Sequence, residues 1–231
     1  METARQTSLM ENPEIVELFG VLERNGLSKE HKEVESLVKY LDTMEVQFGE
    51  VLEELRDVKE QLSQIQDRGM KASVLRITEQ AQGKVREVEG QLTRVRKNLI
   101  RSAGNALQTY KEKGRDALQK AVSAMKIPSA LARIEEGLHT TVESMNRQAD
   151  KMKVLNRELQ VAGGHIKNVG RILRGKEQEK IEIQTTDKGI TTKIRKSFLV
   201  LSGRLSSMEQ TTGNVRKRLE QFVQKEEKNH L

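Results

Sequence analysis

The sequence predicts an all-α protein: an elongated long-helix coiled coil or helical-hairpin bundle, with no sheet. Three observations carry that prediction. Aromatic residues make up 3% of the 231, tryptophan is absent, and there are two prolines; strands and loops of a β-sandwich or α/β core normally need more of both. Charged residues are 32% and the mean hydropathy is −0.66, so a core forms only if the apolar residues are gathered into stripes. They are: Val34, Leu37, Leu41, Met44, Phe48, Val51, Leu55, Val58, Leu62 and Ile65 follow at alternating intervals of three and four, the repeat of a helix-pairing seam.

Taken in order, Met1–Arg5 lacks an apolar h-region, so no secretory leader is expected there, and residues 1–9 read as a dispensable extension. Asn12-Pro13-Glu14 starts a short helix within segment 1–27: asparagine caps, proline fits the first helical position, and the acid opposes the helix dipole. Ile15, Leu18, Phe19 and Leu22 form its apolar face, and Asn25-Gly26 ends it. Segment 28–68, with Ser28 as its cap, holds the uninterrupted seam; a helix over 29–66 would be about 57 Å long and cannot bury such a stripe alone. After a turn at Asp67-Arg68-Gly69, segment 69–127 restarts the seam at Met70, Val74, Ile77, Ala81, Val85, Val88, Leu92, Val95 and Leu99. Beyond Leu99 its core thins to Ala103, Ala106, Leu107, Ala117, Ala121 and Ala124, with Gly83, Gly90, Gly104 and Gly114 in the helical pattern. Each glycine costs about 1 kcal/mol against alanine, which leaves close helix approach or flexibility, and the thin packing favours flexibility.

Pro128 breaks the chain. Segment 128–174 carries Leu131, Ile134, Leu138, Val142, Met145, Met152, Leu155 and Leu159, with a hinge expected at Gly163-Gly164 before Ile166, Val169, Ile172 and Leu173. Residues 175–189 are polar without a period and read as a linker; Ile181-Glu182-Ile183 alternates but is too short for a strand. Segment 190–231 restores a seam at Ile194, Phe198, Leu201, Leu205, Met208, Val215, Leu219 and Phe222, with polar Thr212 on it, a pattern that fixes register in coiled coils. This last helix is expected to self-associate; the competing arrangement docks it on 131–159.

The charge pattern narrows the function classes. Residues 1–68 hold sixteen acidic and eight basic groups, and residues 69–127 hold five and thirteen. Either the two segments lie against each other or the basic one meets an acidic partner. No acid falls between Glu89 and Glu112, while Arg94, Arg96, Lys97 and Arg101 are candidate phosphate contacts; with Leu92, Val95 and Leu99 on the seam, Arg94, Lys97 and Arg101 point outward. Cysteine is absent, excluding thiolate chemistry and cysteine-ligated metals. Glu136–His139 and Glu227–His230 match the Glu-x-x-His spacing of dimetal bundles, but seam positions Ile134 and Leu138 put the first pair on the outer face. No phosphate loop, nucleophile elbow or zinc-protease motif occurs, and no cofactor or metal is expected. No apolar run reaches transmembrane length.

Glu17-Leu18 through Asn25-Gly26-Leu27, the heptad run containing Tyr40-Leu41-Asp42-Thr43-Met44-Glu45, and Lys111-Glu112-Lys113-Gly114-Arg115-Asp116-Ala117-Leu118 resemble an uncharacterised family of helical proteins encoded on conjugative elements of Gram-positive gut bacteria. The resemblance covers most of residues 10–180. It implies a cytoplasmic bacterial protein in a mobile-element setting, with no catalytic or ligand-binding residue to carry over.

The expectation is therefore a cytoplasmic, non-enzymatic structural or adaptor protein. Its pairing seam (Leu37, Leu41, Met44, Phe48, Val51, Leu55, Val58 and Leu62) would recruit itself or another helical protein. A nucleic-acid accessory factor using the basic face is the alternative, and a membrane-surface amphipathic protein is a further one.

Overall fold

A computed structural model describes residues 7–65, 68–125, 127–181 and 189–229. Asn12 Oδ1 accepts from the N–H groups of Glu14 (3.1 Å) and Ile15 (3.4 Å), and Pro13 occupies the first helical position, so α1 (Pro13–Arg24) begins with its orphan donors satisfied. It ends in a Schellman motif: Gly26 N–H donates to Glu23 O and Leu27 N–H to Leu22 O, with Gly26 at φ +68 and Leu22 and Leu27 both buried. That geometry favours glycine because a β-carbon would meet the following carbonyl.

The remaining helices are α2 (Ser28–Gln61), closed by a 3-10 turn at Leu62–Gln64, α3 (Arg68–Lys113), α4 (Arg115–Ser123), α5 (Ile127–Ile172) and α6 (Ile190–Asn229). No strand occurs among the described residues. Several details differ from the sequence reading. Ser28 is the first residue of α2, entered through the Leu27 carbonyl, which accepts from His31 N–H. Arg68 and Gly69 are helical, and Asp67 lies outside the described residues. Segment 69–127 is two helices, because Gly114 at φ +78 interrupts it. Gly163-Gly164 makes no hinge: α5 continues through both.

The chain divides into two compact units, and the long helices contribute to each. The first comprises Met1–Glu50, Val85–His139 and Ser206–Leu231. Ile15, Leu18, Leu41, Phe48, Leu92, Leu99 and Leu118 form its dry centre. Here α1 lies beside the C-terminal part of α3, where Lys111 Nζ is 3.4 Å from Glu17, and Arg115 of α4 donates from Nε to Asn25 O, just past α1, at 3.0 Å. A β-carbon on Gly104 would lie 3.9 Å from Glu14 Cγ, and Ala103 and Ala106 are fully buried. The small residues around Gly104 thus pack beside α1 at ordinary contact distance, while a β-carbon on Gly83, Gly90 or Gly114 would meet nothing within 4 Å. A β-carbon on Gly137 of α5 would come 2.9 Å from Val88 Cγ2, so α3 and α5 cross closely.

In the same unit α6 docks on α2 and α5. Arg218 donates to Glu33 (3.0 Å) and Ser36 (2.6 Å), and Arg216 pairs with Glu135 at 2.8 Å. Thr212, the polar residue on the α6 seam, is fully buried; it donates to Met208 O and is hydrogen-bonded to Tyr40 Oη of α2. Burial pushes the Tyr40 hydroxyl up to about 12; because the Thr212 hydroxyl donates to Met208 O, the Tyr40 hydroxyl is the donor in their pair, a fixed registration point between two helices.

The second unit comprises Val51–Lys84 and Thr140–Leu205. Leu55, Val58, Val74, Ala81, Met145, Met152, Phe198 and Leu201 are buried in it. Polar contacts join its helices at the rim: Ser202 to Asn146 (2.7 Å), Thr191 to Asn156 (2.9 Å), Arg204 to Glu54 (3.4 Å), Lys59 to Glu79 (3.6 Å) and Gln148 to Gln80 (3.4 Å).

Two expectations about association change as a result. Ile194, Phe198, Leu201, Leu205 and Met208 are buried within one chain, so the α6 seam is docked internally and is not free to bind a second copy. The acids of α2 are met from two sides, by Arg96 of α3 and by Arg204 and Arg218 of α6.

Candidate interaction surface

Every residue of the α2 seam from Val34 to Ile65 is buried, including Leu37, Leu41, Met44, Phe48, Val51, Leu55, Val58 and Leu62. In the folded chain these side chains contact its own helices, and an external partner cannot reach them without unfolding the unit. The four candidate phosphate contacts on α3 separate in the same way. Arg94, Lys97 and Arg101 are exposed. Arg96 is only 3% exposed and is removed from that set, because its guanidinium is already committed. Nη1 sits 2.6 Å from Asp42 and 2.7 Å from Glu45, and Nη2 donates to Thr7 O at 3.0 Å.

This node also holds the amino-terminal segment. Asp42 accepts from Ser8 Oγ and, at 3.0 Å, from Leu9 N–H, and Leu9 is 1% exposed. Residues 7–9 are therefore part of the first unit and not a dispensable extension. Burial raises the Asp42 carboxyl, but hydrogen bonds from Ser8, Leu9 and Arg96 outweigh it and hold the group below the usual carboxylate value of 3.8. A carboxyl with a lowered folded pKa adds stability at pH values above its unfolded pKa, and that contribution is lost as pH falls through the folded value. We expect Asp42→Asn to lower stability at neutral pH and to flatten its decline below about pH 4, measured by urea unfolding across an acid series. An unchanged acid slope would show that Asp42 is not the linked group.

The polar and concave features elsewhere are modest. Glu136 is exposed, and His139 Nδ1 instead lies 2.9 Å from Glu209 of α6. Glu227 and His230 belong to a stretch whose side chains lie outside the described residues. No group of three or more His, Cys, Asp or Glu converges among the described residues. An apolar recess of the first unit, lined by Val34, Leu37, Val122, Ile127, Leu219 and Phe222, measures about 30 Å³, room for a water and not for a cofactor. No described helix is long and apolar enough to cross a membrane.

The feature that stands out is the end of α5, in the second unit. This helix runs antiparallel to α3 and α6, with Gln148 beside Gln80 and Asn156 beside Thr191. Helix α3 begins at Arg68 and α6 at Ile190. Counting along the helices, both neighbours are used up by about residue 160, and α5 continues for about 18 Å beyond them. Burial follows that geometry: Met152 is fully buried, Leu155 and Leu159 are half-buried, and then Ile166 is 74%, Val169 56%, Ile172 50% and Leu173 82% exposed.

One face of this overhang is covered by its own chain. Gly175, at φ +69, closes α5 with Lys176 N–H donating to Arg171 O, and the chain then turns back. Asn168 pairs reciprocally with the backbone of Glu179, at 2.8 and 2.9 Å. Lys167 and Arg171 grip the Glu179 carboxylate at 2.9 and 2.7 Å and lower its pKa. A β-carbon on Gly164 would lie 2.7 Å from Ile181 Cγ2, so that glycine is the seat for Ile181. Residues 175–181, expected to be linker, are thus a docked strap; 182–188 lie outside the described residues. The strap occupies the face of Gly164, Asn168 and Arg171. Roughly opposite, at intervals of four, three and four, lie Ala162, Ile166, Val169 and Leu173, all exposed. Gly163 beside them faces open space.

The sequence pattern places Ile166, Val169, Ile172 and Leu173 after Gly163-Gly164 without saying what covers them. A signal was present: the heptad stripe runs on through Leu159, Ala162 and Ile166 past the point where its partner helices run out.

Residues 11–230 match the model of DUF6674, a family of unknown function. No curated protein and no solved structure matches the chain.

Proposed function

We propose, for a chain that belongs to the DUF6674 family and takes no assigned activity from it, that the protein is a non-enzymatic cytoplasmic adaptor acting through helix–helix association. The observation that carries this reading is the heptad face left open on α5. A packed core leaves few large aliphatic side chains more than half exposed in a row, and such a patch on a soluble protein marks a contact surface. Three of them at heptad spacing match the apolar anchors by which one helix receives another. The resemblance to proteins of conjugative elements supports a mobile-element setting for that contact.

A photoreactive benzophenone residue at position 169, introduced in producing cells, tests the reading. The expected result is a protein adduct that disappears when Ile166→Asp and Leu173→Asp are added, and that is absent when the probe sits at the exposed polar position 157. Equal labelling from 157 and 169, or none from 169, contradicts it.

A second reading uses Arg94, Lys97 and Arg101, exposed within two turns of α3 and without an acid on that stretch. Three neutralised phosphates give a salt slope near −2.7 and cost only about forty-fold in affinity between 50 and 200 mM salt. With Arg96 withdrawn, this face supports weak, sequence-independent contact and ranks second.

A further inference from the structure

Resting on that reading, we propose that the open face of α5 receives an acidic amphipathic helix of another protein. The charge of the overhang selects this occupant. Residues 159–181, the overhang with its strap, contain five lysines and arginines against two glutamates, Glu177 and Glu179, and remain basic. Lys167 and Arg171 are engaged with Glu179 on the strapped side. Arg174, exposed at the end of α5, donates from Nε to Gly170 O and forms no ion pair with any described residue; Lys176, exposed at the start of the strap, already acts on Glu179. A second copy of this chain would bring two such basic segments together, and like charges across an apolar seam oppose pairing. An incoming helix with glutamates beside its seam removes that conflict and gains charge-assisted contacts.

The shape of the face agrees. Ala162 and Gly163 in one turn lie beside Ile166, Val169 and Leu173, so an approaching helix meets low ground next to three protruding side chains. The apolar strip is bounded on one side by the polar strap and is widened toward it by Ile172, 50% exposed; vesicle binding separates a helical partner from a bilayer.

The test uses the full chain and two synthetic three-heptad helical peptides with identical leucine seams, one flanked by glutamate and the other by lysine. Fluorescence anisotropy should show the glutamate peptide binding at least about ten-fold more tightly than the lysine peptide, with the gap narrowing as salt rises. Ile166→Asp should abolish binding of both peptides. Arg174→Glu with Lys176→Glu should reverse the preference; these residues are exposed, so the fold survives. Equal binding of both peptides that still requires Ile166 overturns the acidic partner and leaves the adaptor reading standing. So does a dimer of the full chain, in light scattering, that Ile166→Asp abolishes. Stripe-dependent binding to phosphatidylglycerol vesicles with neither peptide bound, or no binding of any kind with no dimer, overturns both.

Discussion

Leu41→Asp is expected to unfold the first unit. Leu41 is fully buried beside Leu37, Met44 and Phe48, and a carboxylate there has no partner within the seam. Burying an unpaired charge is costly enough that the group either takes up a proton or forces the layer open. Either route consumes several kcal/mol of a total stability that is typically about 5–15 kcal/mol. Leu55→Asp is the matching change in the second unit. Circular dichroism should show a melting temperature lowered by about 10 °C or more for each variant, together with lost helical signal at 37 °C. Unchanged melting would mean that the stripe is not the core.

Arg96→Met should cost about 3 kcal/mol, the low end for breaking a buried ion pair, because Asp42 and Glu45 keep partial access to water. The substitution keeps the length of the side chain but leaves two neighbouring carboxylates without their shared cation, and Thr7 O without its donor. Burial already raises the Glu45 carboxyl against the opposing pull of Arg96, so losing that cation raises it further. Urea unfolding should show a lower midpoint with the slope unchanged, and limited proteolysis should begin near residues 7–12, which the node holds. Adding Glu45→Gln should recover part of the loss by removing one stranded charge. A midpoint equal to wild type would show that the node is only a surface pair.

The all-helical fold was legible because its signals are local and periodic. The Val34–Ile65 seam, the cap at Asn12 and the stop at Asn25-Gly26 each follow from a few neighbouring residues. What escaped depends on residues far apart in sequence. Arg96 looked like one cation among four until α2 brought Asp42 and Glu45 to it. Gly104 looked like a soft spot until α1 lay beside it, and Thr212 like an oligomer register until Tyr40 answered it. The open face was hidden for a related reason: a heptad stripe reads the same whether or not a partner covers it. Only the lengths of the neighbouring helices reveal that Ile166, Val169 and Leu173 have none among the described residues.

Thermal unfolding of the variant carrying Ile166→Asp, Val169→Asp and Leu173→Asp, run beside wild type and Leu41→Asp, tests the central claim most directly. If the face is open in the isolated chain, three aspartates there remain hydrated, each costs no more than about 0.5 kcal/mol as a surface substitution, and the melting temperature stays within about 5 °C of wild type, against about 10 °C or more for Leu41→Asp. A fall comparable to that of Leu41→Asp would contradict the account, because it would show that these side chains are already buried against the protein itself.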